Sequence, residues 1–398
     1  MTDDPSVGRL EQAPSPFRPH LPALDGIRGM AVLMVVAHHL LGANTNTGNA
    51  FYDSVSRIHE VLWMGVELFF VLSGFLITGI LYDSLSSKSY FKNFYARRVL
   101  RIFPVYYGFL LVLICLSYPL HLQWHGTQFI LLSYTQNLGI FTKDYMGFRP
   151  AEFINLNHFW SLAVEEQFYF AWPCIVFFVR DARKIILTGL ALSAGAVILR
   201  FIMLAHGGPR YEIYVFTPCR VDSLMIGGVL ALVLRIELRQ PVLRYCGIAF
   251  FSLSAVLACI GIYIGGLEMP TFFMQSAGFT IVALTFAALI GTAVARPAWT
   301  RWLFENSFMR FFGKYSYGLY IFHYSVDAAL TGRIRAVVDG ATHHKVLGVV
   351  SGAVIVFAVS VIVAYASYNL FERRFLKLKK YFEPAGASTH KQGIVATA

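Results

Sequence analysis

LPALDGIRGMAVLMVVAHHLLG, residues 21–42, is apolar and long enough to cross a bilayer, yet it carries Arg28, His38 and His39. A spanning helix needs about 20 predominantly apolar residues. Arg28 and His39 are 11 positions apart. On a helix that places them within about 20° of one face and about 16 Å apart along the axis. Ionisable side chains are costly in hydrocarbon, so they turn into the bundle and mark a site. Arg28 lies near one end and can extend towards the headgroups. His39 lies deeper and has no such route. The helix reads as the floor and wall of a reaction site.

The rest of the chain has the same character. Of 398 residues, 57% are hydrophobic and only 14% charged, more apolar surface than a soluble fold of this length can bury. The expected fold class is all-α, a polytopic integral membrane protein. Ten stretches reach spanning length, at 22–42, 61–82, 99–120, 158–179, 184–205, 219–235, 243–265, 272–294, 310–330 and 346–370. With the N-terminus placed in the cytoplasm, 24 of the 33 basic residues fall in cytoplasmic segments. The positive-inside rule then puts both termini in the cytoplasm. The net charge of +11 thus reads as topology and contact with anionic membrane lipids, not nucleic-acid binding. Residues 1–20, with Asp3, Asp4, Glu11 and four prolines, form a polar cytoplasmic tail rather than a cleavable signal peptide. Residues 21–375 form one membrane domain. Residues 376–398 are expected as a basic cytoplasmic tail, partly disordered, with RRFLKLKKYF as an amphipathic surface helix. The five cysteines stand singly with no metal-ligand spacing, so they read as small buried hydrophobes and no metal site is expected.

Polar residues inside the spans single out candidate chemistry. MGVELFFVLSGFLITGILY places Glu67 in the second span, where a carboxylate needs a partner, among glycines suited to close helix packing. In YFKNFYARRVLRIFPVYY, Arg98 and Arg101 share a face at the mouth of the third span. They read either as an anchor or as a bidentate phosphate clamp. NHFWSLAVEEQFYFAWP aligns His158, Ser161 and Glu165 on one face, with Glu166 and Gln167 adjacent. Two neighbouring carboxylates in a span require hydrogen bonding, neutralisation or a catalytic role. TPCRVDSLMIGG holds Arg220 and Asp222, either an ion-pair network or substrate contacts. GKYSYGLYIFHYSV aligns Ser316, Tyr320 and His323. The long 120–157 segment, rich in aromatic and amide residues, is expected to lie at the interface or to dip back into the bundle.

Taken together, LDGIRGMAVLMVVAHH, GVELFFVLSGFLITG, FYARRVLRIFPVYY, HFWSLAVEEQFYFAWP, RVDSLMIGGVLA and YSYGLYIFH resemble the acyltransferase 3 family of bacterial membrane acyltransferases over about residues 20–375. That resemblance implies ten core helices in the bacterial cytoplasmic (inner) membrane. It also implies transfer of an acyl group, usually acetyl, from cytoplasmic acyl-CoA to an acceptor hydroxyl on the outer side. The family's arginine-x10-histidine pattern falls on Arg28 and His39, and its RxxR signature on Arg98 and Arg101. Many members add an SGNH-type domain after the membrane core. About 25 residues follow the last span here, so none is expected. Neutral histidine suits removal of a hydroxyl proton near pH 7. His39 is therefore the expected base, with Glu165, Glu166 or Asp25 as orienting or charge-balancing catalytic partners, and His158, Ser161, Arg220, Asp222 and His323 contacting a carbohydrate-type acceptor. Arg28, Arg98 and Arg101 are expected to hold acyl-CoA as co-substrate, with no tightly bound cofactor. A proton-coupled transporter, a non-catalytic glycan or lipid exporter, and a bis-histidine haem protein are the competing readings.

Overall fold

The computed structural model describes residues 21–42, 49, 52, 58–138, 149–208 and 210–382. The expected tail at 1–20, and residues 383–398 of the one expected at 376–398, lie outside the described residues. Ten long helices carry the fold: α1 (Pro22–Gly42), α2 (Gly65–Asp83), α3 (Tyr90–Cys115), α4 (Trp160–Val179), α5 (Ala182–Ala205), α6 (Thr217–Val233), α7 (Arg239–Ile264), α8 (Phe279–Ala295), α9 (Ser307–Thr342) and α10 (Lys345–Ser367). No strand occurs among the described residues. Nine helices there are long and apolar enough to cross a membrane. The remaining expected span, 310–330, falls in α9, which is long enough at 36 residues but is diluted by tyrosines, serines and His323. At about 54 Å, α9 is longer than a bilayer's hydrocarbon core.

Close backbone crossings hold the centre. A methyl group on Gly74 of α2 would lie 1.8 Å from the Leu224 carbonyl oxygen, and one on Gly227 of α6 would lie 2.0 Å from that of Val71. The two helices thus meet glycine to backbone on both sides, the small-residue contact that membrane helices use in place of hydrophobic drive. Gly29 of α1 and Gly313 of α9 make the same reciprocal contact, against Met309 and Asp25. Around α2 and α6 lie α1, α4, α5 and α8, while α7 packs mainly on α8. The consequence shows in burial: 78% of the α2 span is buried within the protein, against 6% for α7. Most of the α7 surface is therefore left to lipid.

The apolar centre also contains two fully buried ion pairs, Glu67–Arg220 and Arg200–Asp222. Glu67 accepts from Ser223 at 2.6 Å, and the Arg220 guanidinium sits 3.9 Å from the Phe279 ring. Arg200 donates to Asp222 at 3.0 Å, Thr280 at 2.7 Å and the Ser276 carbonyl at 3.0 Å. Ser276 lies in a π-helical turn, Met274–Gly278, whose wider pitch loosens the backbone ladder and offers carbonyls to outside donors. These networks join α2 to α6 and α5 to α6 and α8.

The segment after α3 does dip into the bundle. Its short helix Thr127–Leu132 accepts from Tyr106 and Tyr107 through the Leu131 and Leu132 carbonyls, at 2.8 and 2.9 Å. Gln136 and Asn137 then become buried, Asn137 bonding Gln167 of α4 at 2.8 Å and Thr217 of α6 at 2.6 Å. At the other end of the chain, the RRFLKLKKYF stretch is helical (Arg373–Lys377, then a 3-10 turn Leu378–Phe382), and it packs against α3.

Candidate functional site

Arg28 and His39 lie at opposite ends of α1 and open onto different cavities. Arg28 lines a cavity of about 1760 Å³ that also takes in Arg98, Arg101, Glu165 and Glu166. His39 lines one of about 740 Å³ with His158, Trp63, Trp160 and Tyr324. The two share Val66 and Tyr320 as walls, so they meet in the middle of the bundle. A third cavity of about 480 Å³ adjoins the first and is lined by Arg28, Arg101, Arg310, Lys314, Lys379 and Glu372.

The larger cavity is strongly cationic, lined by seven basic and four acidic side chains. Two of the acids are engaged: Asp25 accepts from Arg28 at 3.2 Å, and Asp83 accepts two bonds from Arg235 at 2.7 and 2.8 Å. The third span was expected to begin at residue 99, with Arg98 and Arg101 at its mouth. Instead α3 starts at Tyr90, so both arginines stand more than two turns inside it. There the Arg98 guanidinium carbon lies over the Tyr169 ring, 3.3 Å from its centre. Glu165 faces Arg98, Ser73 and Tyr169, and Ser73 is hydrogen-bonded to Tyr169. A guanidinium stacked on a phenol and steered by a carboxylate is held rigidly with its edge available, the arrangement that grips phosphate oxygens bidentately. Tyr381 and Phe382 line the same cavity and Lys379 the adjoining one. The chain after α10 therefore forms a wall of this region rather than a free surface helix.

The smaller cavity carries no Arg or Lys among its described lining residues. His39 stacks on Tyr324 with ring centres 4.2 Å apart. Its Nδ1 lies 2.9 Å from Nε2 of His323, and His158 Nε2 lies 2.9 Å from the Tyr320 carbonyl. The Tyr320 phenol donates to the His158 carbonyl at 2.8 Å and is hydrogen-bonded to Ser161. Trp63 and Trp160 flank Tyr214, with ring centres 6.0 and 4.6 Å away, forming an aromatic wall. Histidines, aromatic faces and two lining carboxylates, Glu60 and Glu268, with no Arg or Lys among them, make this end suited to an uncharged, hydroxyl-bearing molecule rather than to an anion.

Several expectations need revision. Glu165 and Glu166 do not orient His39. They lie two turns further along α4 than His158, about 10 Å at 1.5 Å per residue, and they line the arginine cavity instead. Asp25 is likewise distant and paired with Arg28. The partner of His39 is His323, which is fully buried and lines neither cavity. Arg220 and Asp222 are fully buried in their ion pairs and line none of the three cavities, which assigns them to the framework. Ser161 lines the arginine cavity, where its hydroxyl holds Tyr320 at the junction. Sequence reading did not anticipate Tyr169, Ser73 or the Trp63–Trp160–Tyr214 wall. Aromatic residues are so common in this chain that nothing in their spacing marks these out. Among the described residues no group of His, Cys, Asp and Glu side chains is arranged to hold a metal ion.

A membrane helix bundle with a cationic cavity at one end, a histidine cavity at the other and a shared wall defines a class of membrane-embedded transfer site. A family model described as an acyltransferase domain, that of acyltransferase 3, matches residues 21–368, and the chain belongs to this family. It is similar to the peptidoglycan O-acetyltransferase OatA of Listeria monocytogenes, 26% identical over 327 residues, covering 79% of this chain and 50% of that one. It is also similar to O-acetyltransferase OatA of Staphylococcus aureus (strain NCTC 8325 / PS 47), 27% identical over 342 residues, 81% of this chain and 53% of that one. The chain thus spans about half the length of the curated relatives it matches. No solved structure matches it.

Proposed function

We propose that this chain is a membrane O-acyltransferase that moves an acyl group, acetyl by analogy with its named relatives, from acyl-CoA to a hydroxyl of a cell-envelope glycan. The carrying observation is the pair of cavities of opposite character meeting at Val66 and Tyr320. Coenzyme A is a polyanion, and the arginine cavity supplies Arg28, Arg98 and Arg101 for its phosphates. The acceptor enters the histidine cavity, where aromatic rings stack on sugar faces. With positive charge concentrated on cytoplasmic segments, the arginine cavity opens to the cytoplasm of the bacterial inner membrane and the histidine cavity to the outside.

In the reaction, the acceptor oxygen attacks the thioester carbonyl carbon while His39 Nε2 takes its proton. The carbon–sulfur bond then breaks, and the protonated imidazole returns the proton to the departing thiolate. Positioned general-base catalysis of this kind contributes about 10²–10⁴-fold, which is the loss expected for His39→Ala.

The test is purified protein in lipid nanodiscs with radiolabelled acetyl-CoA and a panel of envelope glycans, comparing wild type with His39→Ala and Arg98→Ala. Transfer in wild type, lost without His39 and with weakened acetyl-CoA binding without Arg98, supports the reading. A folded wild type that neither binds acetyl-CoA nor transfers label overturns it in favour of transport or export.

A further inference from the structure

The hydrogen bonds around His39 specify where each proton sits. His323 Nδ1 lies 2.8 Å from the Tyr320 carbonyl oxygen and 3.1 Å from that of Leu319. His158 Nε2 lies 2.9 Å from the same Tyr320 oxygen. A carbonyl only accepts, so both of these ring nitrogens carry hydrogen. A neutral imidazole has one donor and one acceptor, which leaves His323 with a bare Nε2. That nitrogen is 2.9 Å from His39 Nδ1, so His39 Nδ1 is the donor and His39 Nε2 is bare. The same logic leaves His158 with a bare Nδ1. That atom is buried and has no hydrogen-bond partner among the described residues, although His158 lines the cavity.

From this chain of bonds, and building on the acyltransferase reading, we infer two linked roles. His323 is a positioning residue that fixes His39 as a base at Nε2. His158 Nδ1 receives a second donor of the acceptor, so the site selects sugars presenting two adjacent hydroxyls or a hydroxyl beside an amide N–H. The His39 and His158 ring centres are 6.5 Å apart, a gap that two neighbouring donors can bridge with hydrogen bonds of about 2.8 Å each. One group is acylated and the other anchors the ring.

The arrangement replaces the carboxylate of a familiar triad with a second imidazole. A carboxylate would orient His39 and also hold a negative charge in the centre of the bundle, which is expensive there. A neutral histidine backed by a carbonyl orients equally well without that charge. The proton taken from the acceptor can be shared along the Nδ1–H···Nε2 bond into His323, whose own Nδ1–H rests on Tyr320. The buried Nδ1 of His158 fits the same scheme: an unmet acceptor beside a cavity is costly unless something that enters the cavity donates to it.

The experiment uses the full chain in nanodiscs with ¹⁵N-labelled histidine, each ring assigned by single substitution, together with steady-state kinetics. Wild type should show His39 protonated at Nδ1 and His158 at Nε2. In His323→Ala, His39 should shift towards the Nε2–H form, with kcat down about 10- to 100-fold, the scale seen when a metal-bound histidine loses its orienting partner, and donor KM unchanged. His323→Gln, whose amide oxygen can accept from Nδ1–H, should recover part of both. His158→Phe should raise KM for a diol acceptor while leaving its O-methylated neighbour analogue unaffected. An unchanged His39 tautomer in His323→Ala, or equal losses in the Ala and Gln variants, overturns the positioning role. Equal His158→Phe losses on diol and methylated acceptors overturn the second contact. The tautomer readout needs no turnover, so an inactive wild type with the expected protonation would retire the acyltransferase reading and leave the positioning role standing.

Discussion

Removing either member of the Glu67–Arg220 pair should be far more damaging than removing both. The two side chains are fully buried; beyond each other, Glu67 has Ser223 at 2.6 Å, while Arg220 has the Phe279 and Tyr214 rings at 3.9 and 5.2 Å and the charge of Asp222, itself paired with Arg200. Glu67→Leu strands a guanidinium in an apolar core, and Arg220→Met strands a carboxylate whose remaining donor is Ser223. Each should cost about 3–5 kcal/mol, the usual penalty for breaking a buried pair. In the double variant both charges leave together. It forfeits a cation–π contact of about 2 kcal/mol, while well-packed apolar replacements of a buried pair are neutral or stabilising by about 1–4 kcal/mol. The double variant should therefore lie within about 2 kcal/mol of wild type, a coupling of at least about 4 kcal/mol against the summed singles. The assay is reversible unfolding in detergent micelles, followed in parallel by tryptophan fluorescence and circular dichroism so that coincident transitions justify a free-energy reading. Additive costs, with the double variant near the sum of the two singles, would refute the idea that these groups exist to satisfy one another.

Three further outcomes follow from other parts of the structure. Gly74→Ala drives a methyl group into the Leu224 carbonyl at 1.8 Å and should lower stability by about 1–3 kcal/mol or more; Gly195→Ala meets open space and should be neutral to stabilising by up to about 1 kcal/mol, with relative melting temperatures in detergent as the comparison. Gln167→Leu removes the partner of buried Asn137 and of Thr217; a loss of about 1–3 kcal/mol, accompanied by faster proteolysis of the 120–157 segment, is the expected signature. Arg98→Lys keeps the charge but gives up the planar stack on Tyr169, so acetyl-CoA affinity measured by calorimetry should fall about tenfold; unaltered affinity would mean that charge alone matters there.

The sequence was informative where physical cost is high and silent where it is low. Arg28, His39 and Glu67 stand out because each is an expensive residue in an apolar run, and all three do face the interior. The spacing on α1 put Arg28 and His39 on one face, and both open onto cavities. What spacing within a helix does not carry is which helix stands opposite. The α1–α9 crossing at Gly29 and Gly313 brings His323 beside His39, and it is tertiary packing that displaces Glu165 to the other cavity. The reach of α3 is not legible because three arginines within five residues, Arg97, Arg98 and Arg101, read as a helix mouth. In the structure the helix continues past it, with Arg98 turned onto Tyr169 rather than into lipid. The polar face of α9 was legible residue by residue, while its low hydropathy removes it from the nine most apolar helices.

Because Arg28 and His39 belong to one unbroken helix, their separation is a ruler ruled in peptide units: three turns, about 16 Å. Glycine contacts against α2 and α9 leave that ruler little freedom to slide. On the acyltransferase reading proposed above, a donor gripped at the arginine end must carry its reactive carbonyl on an arm of that reach. A compact activated acyl group such as acetyl phosphate, anchored by the same arginines, would stop three turns short of the base. Chain length in the donor, rather than the acyl group itself, is what this helix measures.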